Sequence, residues 1–148
     1  MWSSIIAVVG TLLGGFAAHL TAAFTARSAR VERRRQALVD AFPALLGALV
    51  DHRRHQYLKI TARREGRADR AEGREARYEA RSAVTKAMAA VQMATRDAVL
   101  LGLAREAVGA AFALGDAPES ELEAAGDRAR RTHDALQEAA ASFVYDYR

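Results

Sequence analysis

Residues 2–26, WSSIIAVVGTLLGGFAAHLTAAFTA, form an apolar, small-residue run with one ionisable side chain, His19. At about 1.5 Å of rise per residue a helix of that length exceeds a hydrocarbon core of about 30 Å, so the pattern predicts an N-terminal transmembrane helix. Beyond it the pattern turns amphipathic. Leu38, Phe42, Leu45, Leu49, Tyr57 and Ile60 fall at spacings that put most of them on one stripe of a helix. Pro43 interrupts that stripe by removing one backbone hydrogen bond and crowding the Val39 carbonyl. The register continues across it, which favours a kink over a new helix capped by Asp40. The run over 62–81, ARREGRADRAEGREARYEAR, alternates charge at helical spacing, and Gly66 is the expected point of chain reversal. A second stripe follows through Tyr78, Val84, Met88, Val91, Thr95, Val99, Leu103 and Phe112, and stops at the GDAP of residues 115–118. A third starts behind Asp116 or Ser120 and takes in Leu122, Ala125, Ala129, Leu136, Phe143 and Tyr147. The predicted fold class is all-α: an N-terminal transmembrane helix followed by a three-helix antiparallel bundle or a long helical hairpin. Its organisation is a transmembrane helix over 2–26, a basic juxtamembrane segment over 27–35 and a cytoplasmic helical domain over 36–148.

Charge sharpens the topology. Residues 27–35 carry Arg27, Arg30, Arg33, Arg34 and Arg35 against Glu32 alone, an excess that places this end of the span on the cytoplasmic side and the N-terminus outside. The five arginines are expected to contact lipid headgroups at the plasma membrane. A secretory signal would carry its positive charge before the apolar stretch, and a buried core helix of this length would be hard for so short a chain to surround. Within the span, Gly10 and Gly14 lie four apart and leave a strip of bare backbone for a second helix. The chain as a whole has a net charge of +4. Its last part, 115–148, is acidic, with four arginines against eight carboxylates.

The search for chemistry returns little. No cysteine is present, which removes disulfides, thiolate metal sites and a cysteine nucleophile. His52 and His55 stand at i and i+3, a spacing that can clamp a metal, but Arg53 and Arg54 flank them and repel a cation, so a polar patch is the reading adopted. No Ser-His-Asp order, phosphate loop or dinucleotide fingerprint occurs; no catalytic, cofactor or metal residues are assigned, and the chain is read as no enzyme. The twenty arginines invite nucleic acid, yet Glu65, Asp69, Glu72, Glu75 and Glu79 offset much of the field between Arg63 and Arg81, so direct nucleic-acid binding is not expected. The Ala-rich stripes bury modest area, which makes a homo-oligomer, or an unidentified protein partner, the expected way to complete the core.

The opening WSSIIAVVGTLLGG, the arginine-rich exit from the span, DHRR at 51–54 and ARSAVTKAM at 80–88 resemble small actinobacterial proteins of the KilB-like group, associated with the spread of conjugative plasmids. The resemblance implies a membrane-anchored accessory of DNA transfer that acts by assembly or interaction, and it carries over no catalytic residues. Two other architectures are similar in outline: a holin-like phage membrane protein, and a stalk-like structural subunit, against which Gly66, Gly73 and the stop at 115–118 argue.

Overall fold

The computed structural model describes residues 25–145 in full and, beyond them, the backbone course of residues 2–24 and of Asp146. Four α-helices follow one another: α1 over Trp2–Arg64, α2 over Ala71–Ala94, α3 over Ala98–Leu114 and α4 over Leu122–Asp146, the last preceded by a 3-10 turn at Glu119–Glu121. No strand occurs among the described residues. The chain divides into two compact units, Met1–Gln36 and Ala37–Arg148.

The expected transmembrane helix over 2–26 requires correction, because no helix among the described residues is long and apolar enough to cross a membrane. The described part of α1 carries five arginines within 27–35 and then Asp40, Asp51, Arg53 and Arg54, so it holds no apolar run near the 20 residues a bilayer demands. Residues 2–24, Gly10 and Gly14 among them, lie outside the fully described residues. In the first unit, residues 25–34 are exposed, and Arg33 Nε donates to the Ala29 carbonyl one turn back at 3.1 Å.

The second unit is a helical bundle. Leu38, Ala41, Phe42, Leu45, Leu49, His52, Gln56 and Ile60 form the buried stripe of α1, at spacings of three and four. Val84, Met88 and Val91 of α2, Leu100, Ala104, Ala107 and Ala111 of α3, and Leu136 and Ala140 of α4 complete the main core. A smaller cluster of Ile60, Leu114 and Leu122 closes the far end. The helix runs through Pro43 without ending there, although proline supplies no N–H to the Val39 carbonyl. Tyr57, expected in the core, is 39% exposed: Gln56 holds the inward position, and one further residue turns the side chain by about 100°.

The turns obey local chemistry. At the end of α1, Gly66 takes a φ of 65°, Arg67 N donates to the Ala62 carbonyl and Gly66 N to the Arg63 carbonyl. That is the paired-bond stop a left-handed glycine permits. The second predicted helix is in fact two. Thr95 and Asp97 are extended, Thr95 Oγ1 accepts from Asp97 N, and Asp97 Oδ1 caps α3 by accepting from Leu100 N at 2.9 Å. Three non-helical residues reset the phase of the apolar stripe, so Val99 is 71% exposed and Leu100 takes the inward place. Leu103, Phe112 and Phe143 lie partly buried against the core. The inward face of α3 is mostly alanine, and α3 packs closely along α4.

Replacing Leu45 or Leu136, both fully buried, with alanine is expected to lower unfolding free energy by about 2–5 kcal/mol in urea titrations. Val99→Ala should stay within about 0.5 kcal/mol of the parent, and Asp97→Ala should cost about 1 kcal/mol through the lost cap. A large loss at Val99 would contradict the phase reset at residues 95–97.

Candidate functional site

Two features of the bundle hold polar chemistry: a buried cluster at the middle of α1 and a groove on its outer side. The buried cluster arises because the apolar stripe of α1 admits two polar residues one turn apart, His52 and Gln56. The Gln56 amide, as oriented, donates to His52 Nε2 at 3.3 Å, which puts the proton of the neutral ring on Nδ1. His52 Nδ1 and Gln56 Oε1 are buried with no hydrogen-bond partner among the described residues. Phe112 of α3 meets the imidazole edge-on at 5.0 Å between centroids, and the Arg81 guanidinium of α2 lies 4.3 Å from the centroid of the Phe112 ring. Gly115 makes room for the glutamine, since a Cβ there would lie 2.6 Å from Gln56 Cδ. Lys59 Nζ donates to the Gly115 carbonyl, tying α1 to the end of α3.

Burial lowers the His52 pKa below its ordinary value, and the positive charge of Arg81 and neighbouring His55 push the same way. His133 on α4 is also lowered, first by burial and then by Arg53. His55 does not join His52: it is half-buried beside the α1–α2 turn, and no group of three or more metal-ligating side chains occurs among the described residues.

On the outer side of α1 two surface depressions succeed one another. One, of about 280 Å³, lies between α1 and α4 and is walled by Val39, Phe42, Pro43 and Leu46 against Ala140, Ala141, Val144 and Tyr145. The other, of about 480 Å³, is walled by Val50, Tyr57 and Leu58 and rimmed by Arg53, Arg54 and Arg130. Leu46, which walls the first, and Val50, which walls the second, are one turn apart, so the two depressions follow one line of the helix, the α1 groove. The three arginines are held differently. Arg53 Nη1 donates to the Ala129 carbonyl at 3.0 Å; Arg130 pairs with Asp127 and reaches the Tyr57 hydroxyl at 3.4 Å; Arg54 is exposed and has no ion pair among the described residues. The Asp127 carboxylate raises the Arg130 pKa. Tyr57 in turn fits over Gly126, where a Cβ would come within 2.8 Å of its hydroxyl.

Elsewhere several charges pair locally. Arg63 and Arg64 both pair with Glu119, and that pairing, Arg64 foremost, lowers the Glu119 pKa. Arg67 pairs with Glu65, and Arg77 binds Asp69 at 2.5 Å and holds its carboxyl below the usual range. These exposed pairs are screened by salt and decide little about stability. Of the five arginines expected at lipid headgroups, Arg27, Arg30, Arg33 and Arg34 are exposed and Arg35 is half-buried. Sequence spacing carries one signal of the groove, the repeat of Val39, Pro43, Leu46, Val50 and Tyr57 at four, three, four and seven, and none of the His52–Gln56 hydrogen bond.

The family described as KilB plasmid transfer protein matches residues 39–144, which take in the bundle and its groove. Among curated proteins, Protein KilB of Streptomyces lividans is 42% identical over 71 residues, covering 48% of this chain and 48% of that protein. The match thus spans about half the length of the curated relative. No solved structure matches the chain.

A neutral His52 is favoured by the fold, so the unfolded chain binds more protons below about pH 6.5. The stability this ring contributes is therefore complete above that pH and declines as pH falls through and below it, with His133 adding in the same direction. Urea midpoints at pH 7.5 and 5.5 should separate for the parent and draw together in His52→Leu. Gly115→Ala and Gln56→Ala should each destabilise. In a double-mutant cycle the pair should cost less than their sum by about 0.5–3 kcal/mol, because removing the amide relieves the new methyl. Additive losses would show that Gln56 does not press on Gly115.

Proposed function

The chain belongs to the KilB family of plasmid transfer proteins, and on that basis we propose that it serves plasmid transfer as a non-enzymatic helical interaction protein, assembling with copies of itself or with another transfer component. The observation that carries this reading is the coincidence of the family match over 39–144 with a bundle that carries two apolar depressions along one line of α1. Exposed apolar strips rimmed by charge are interaction surfaces more often than reaction sites. The polar groups of the bundle fit the same reading, since the His52–Gln56 pair is enclosed within the packing and the groove arginines stand at the rim of an apolar surface.

The protein works at the cytoplasmic face of the cell membrane, with the exposed arginines of 27–35 resting on anionic headgroups. This contact is electrostatic and needs no segment that crosses the bilayer. Vesicles containing phosphatidylserine should therefore sediment the full chain at low salt and release it as salt rises, whereas phosphatidylcholine vesicles should not bind it.

In an actinobacterial mating assay, removing the coding sequence from a plasmid that carries it should reduce plasmid spread, and crosslinking of the full chain in donor cells should give a defined larger species. Unchanged spread would refute the proposed role.

A further inference from the structure

We propose that the groove along α1 receives an amphipathic helix of a partner protein, apolar along one face and carrying carboxylates at the end that meets Arg53, Arg54 and Arg130. The inference rests on the interaction role proposed above and adds the chemistry of the partner.

The shape comes from α1 itself. At about 100° per residue, Val39, Pro43, Leu46, Val50, Tyr57 and Thr61 fall within one narrow strip, about 120° around the helix from the buried stripe. Several of these are apolar and exposed to solvent: Val39 by 36%, Val50 by 46% and Tyr57 by 39%, with Leu58 beside them at 57%. From Leu38 to Thr61 the strip is about 35 Å long, the length of a helix of roughly 20 residues. A helix laid in such a groove buries one apolar face and keeps its other faces in water.

The charge selects the occupant. Three arginines rim one depression, and no carboxylate lines either among the described residues. Arg54 has no ion pair among the described residues, so its charge is available to a partner without breaking one of those pairs. A second copy fits this rim poorly. Laid parallel and in register, it sets Arg54 beside Arg54; laid antiparallel about Val50, it leaves the Arg53 and Arg54 pairs of two chains about 9–12 Å apart along the helix axis. Like charges across an interface disfavour association, and carboxylates in the same places favour it.

The test uses the full chain and two synthetic helical peptides of about 20 residues with the same leucine face, one bearing glutamates and one lysines at its terminal end, with binding read by fluorescence anisotropy. The glutamate peptide should bind and the lysine peptide should not. Arg54→Glu should weaken binding at least tenfold, Val50→Asp should abolish it, and Arg96→Glu, an exposed charge change at the α2–α3 turn, should leave it within twofold. Circular dichroism would check that each variant is folded. Equal binding of the two peptides, no binding of either, or equal effects of Arg54→Glu and Arg96→Glu would overturn the proposal. So would a dimer of the chain alone that Val50→Asp dissolves, since the groove would then belong to a second copy. Plasmid spread separates the two levels: if spread needs the chain but tolerates Val50→Asp, the groove assignment fails and the transfer role stands, whereas spread indifferent to the chain removes the role itself.

Discussion

The bundle depends on one constraint, the burial of the α1 stripe from Leu38 to Ile60. Leu45 and Leu49 are enclosed completely, and the other three helices reach the core by packing around that line. The apolar contribution per helix is limited, because α3 offers mainly alanines. Small side chains bury little area each, but they let helices approach closely and so recover contact through backbone proximity. Polar residues inside such a seam are restrictive. His52 and Gln56 must find their places beside Phe112 and Gly115, and a shift of α1 by one turn would set them against apolar neighbours. Buried polar residues of this sort fix register at a cost in stability, a role known from coiled-coil seams.

Much of the architecture could be read from the chain because it rests on periodicity and punctuation. Leu38, Phe42, Leu45, Leu49 and Ile60 lie buried where their spacing places them, and Gly66 ends α1 because only a residue free of Cβ strain takes the left-handed stop easily. Phase was harder. Val84, Met88 and Val91 continue by eye into Thr95 and Val99, yet a threonine followed two residues later by an aspartate is also a helix-start signal, and the local hydrogen bonds of Thr95 and Asp97 outweigh the apparent continuity. The apolar character of 2–26 suggested a bilayer span, whereas the described course of α1 passes from there into arginine-rich sequence with no apolar stretch long enough to cross.

The functional surface was less legible than the core, for a reason of geometry. A buried stripe announces itself by uniform chemistry, while the groove mixes Val39, Pro43 and Val50 with Arg53 and Arg54, residues that separately read as a helix interruption, ordinary exposed side chains and the flanks of a histidine pair. Helical spacing puts them on one side of α1, but only the three-dimensional course shows that Arg130, distant in sequence, completes the rim. The arginines that dominate the composition also divide in space. Those near Glu65, Asp69 and Glu119 are neutralised locally, whereas Arg54 has no ion pair among the described residues.

Pro43 gives the groove a property that its apolar side chains do not. Without an amide hydrogen at residue 43, the carbonyl of Val39 loses its helical donor just where Val39 and Pro43 wall the apolar depression. A purely hydrocarbon surface that covered residue 39 would seal that oxygen away from water unsatisfied. A hydroxyl or amide placed over residue 39 would meet the need, so the proline converts a stretch that would discriminate only by shape into one that also reads hydrogen-bonding capacity.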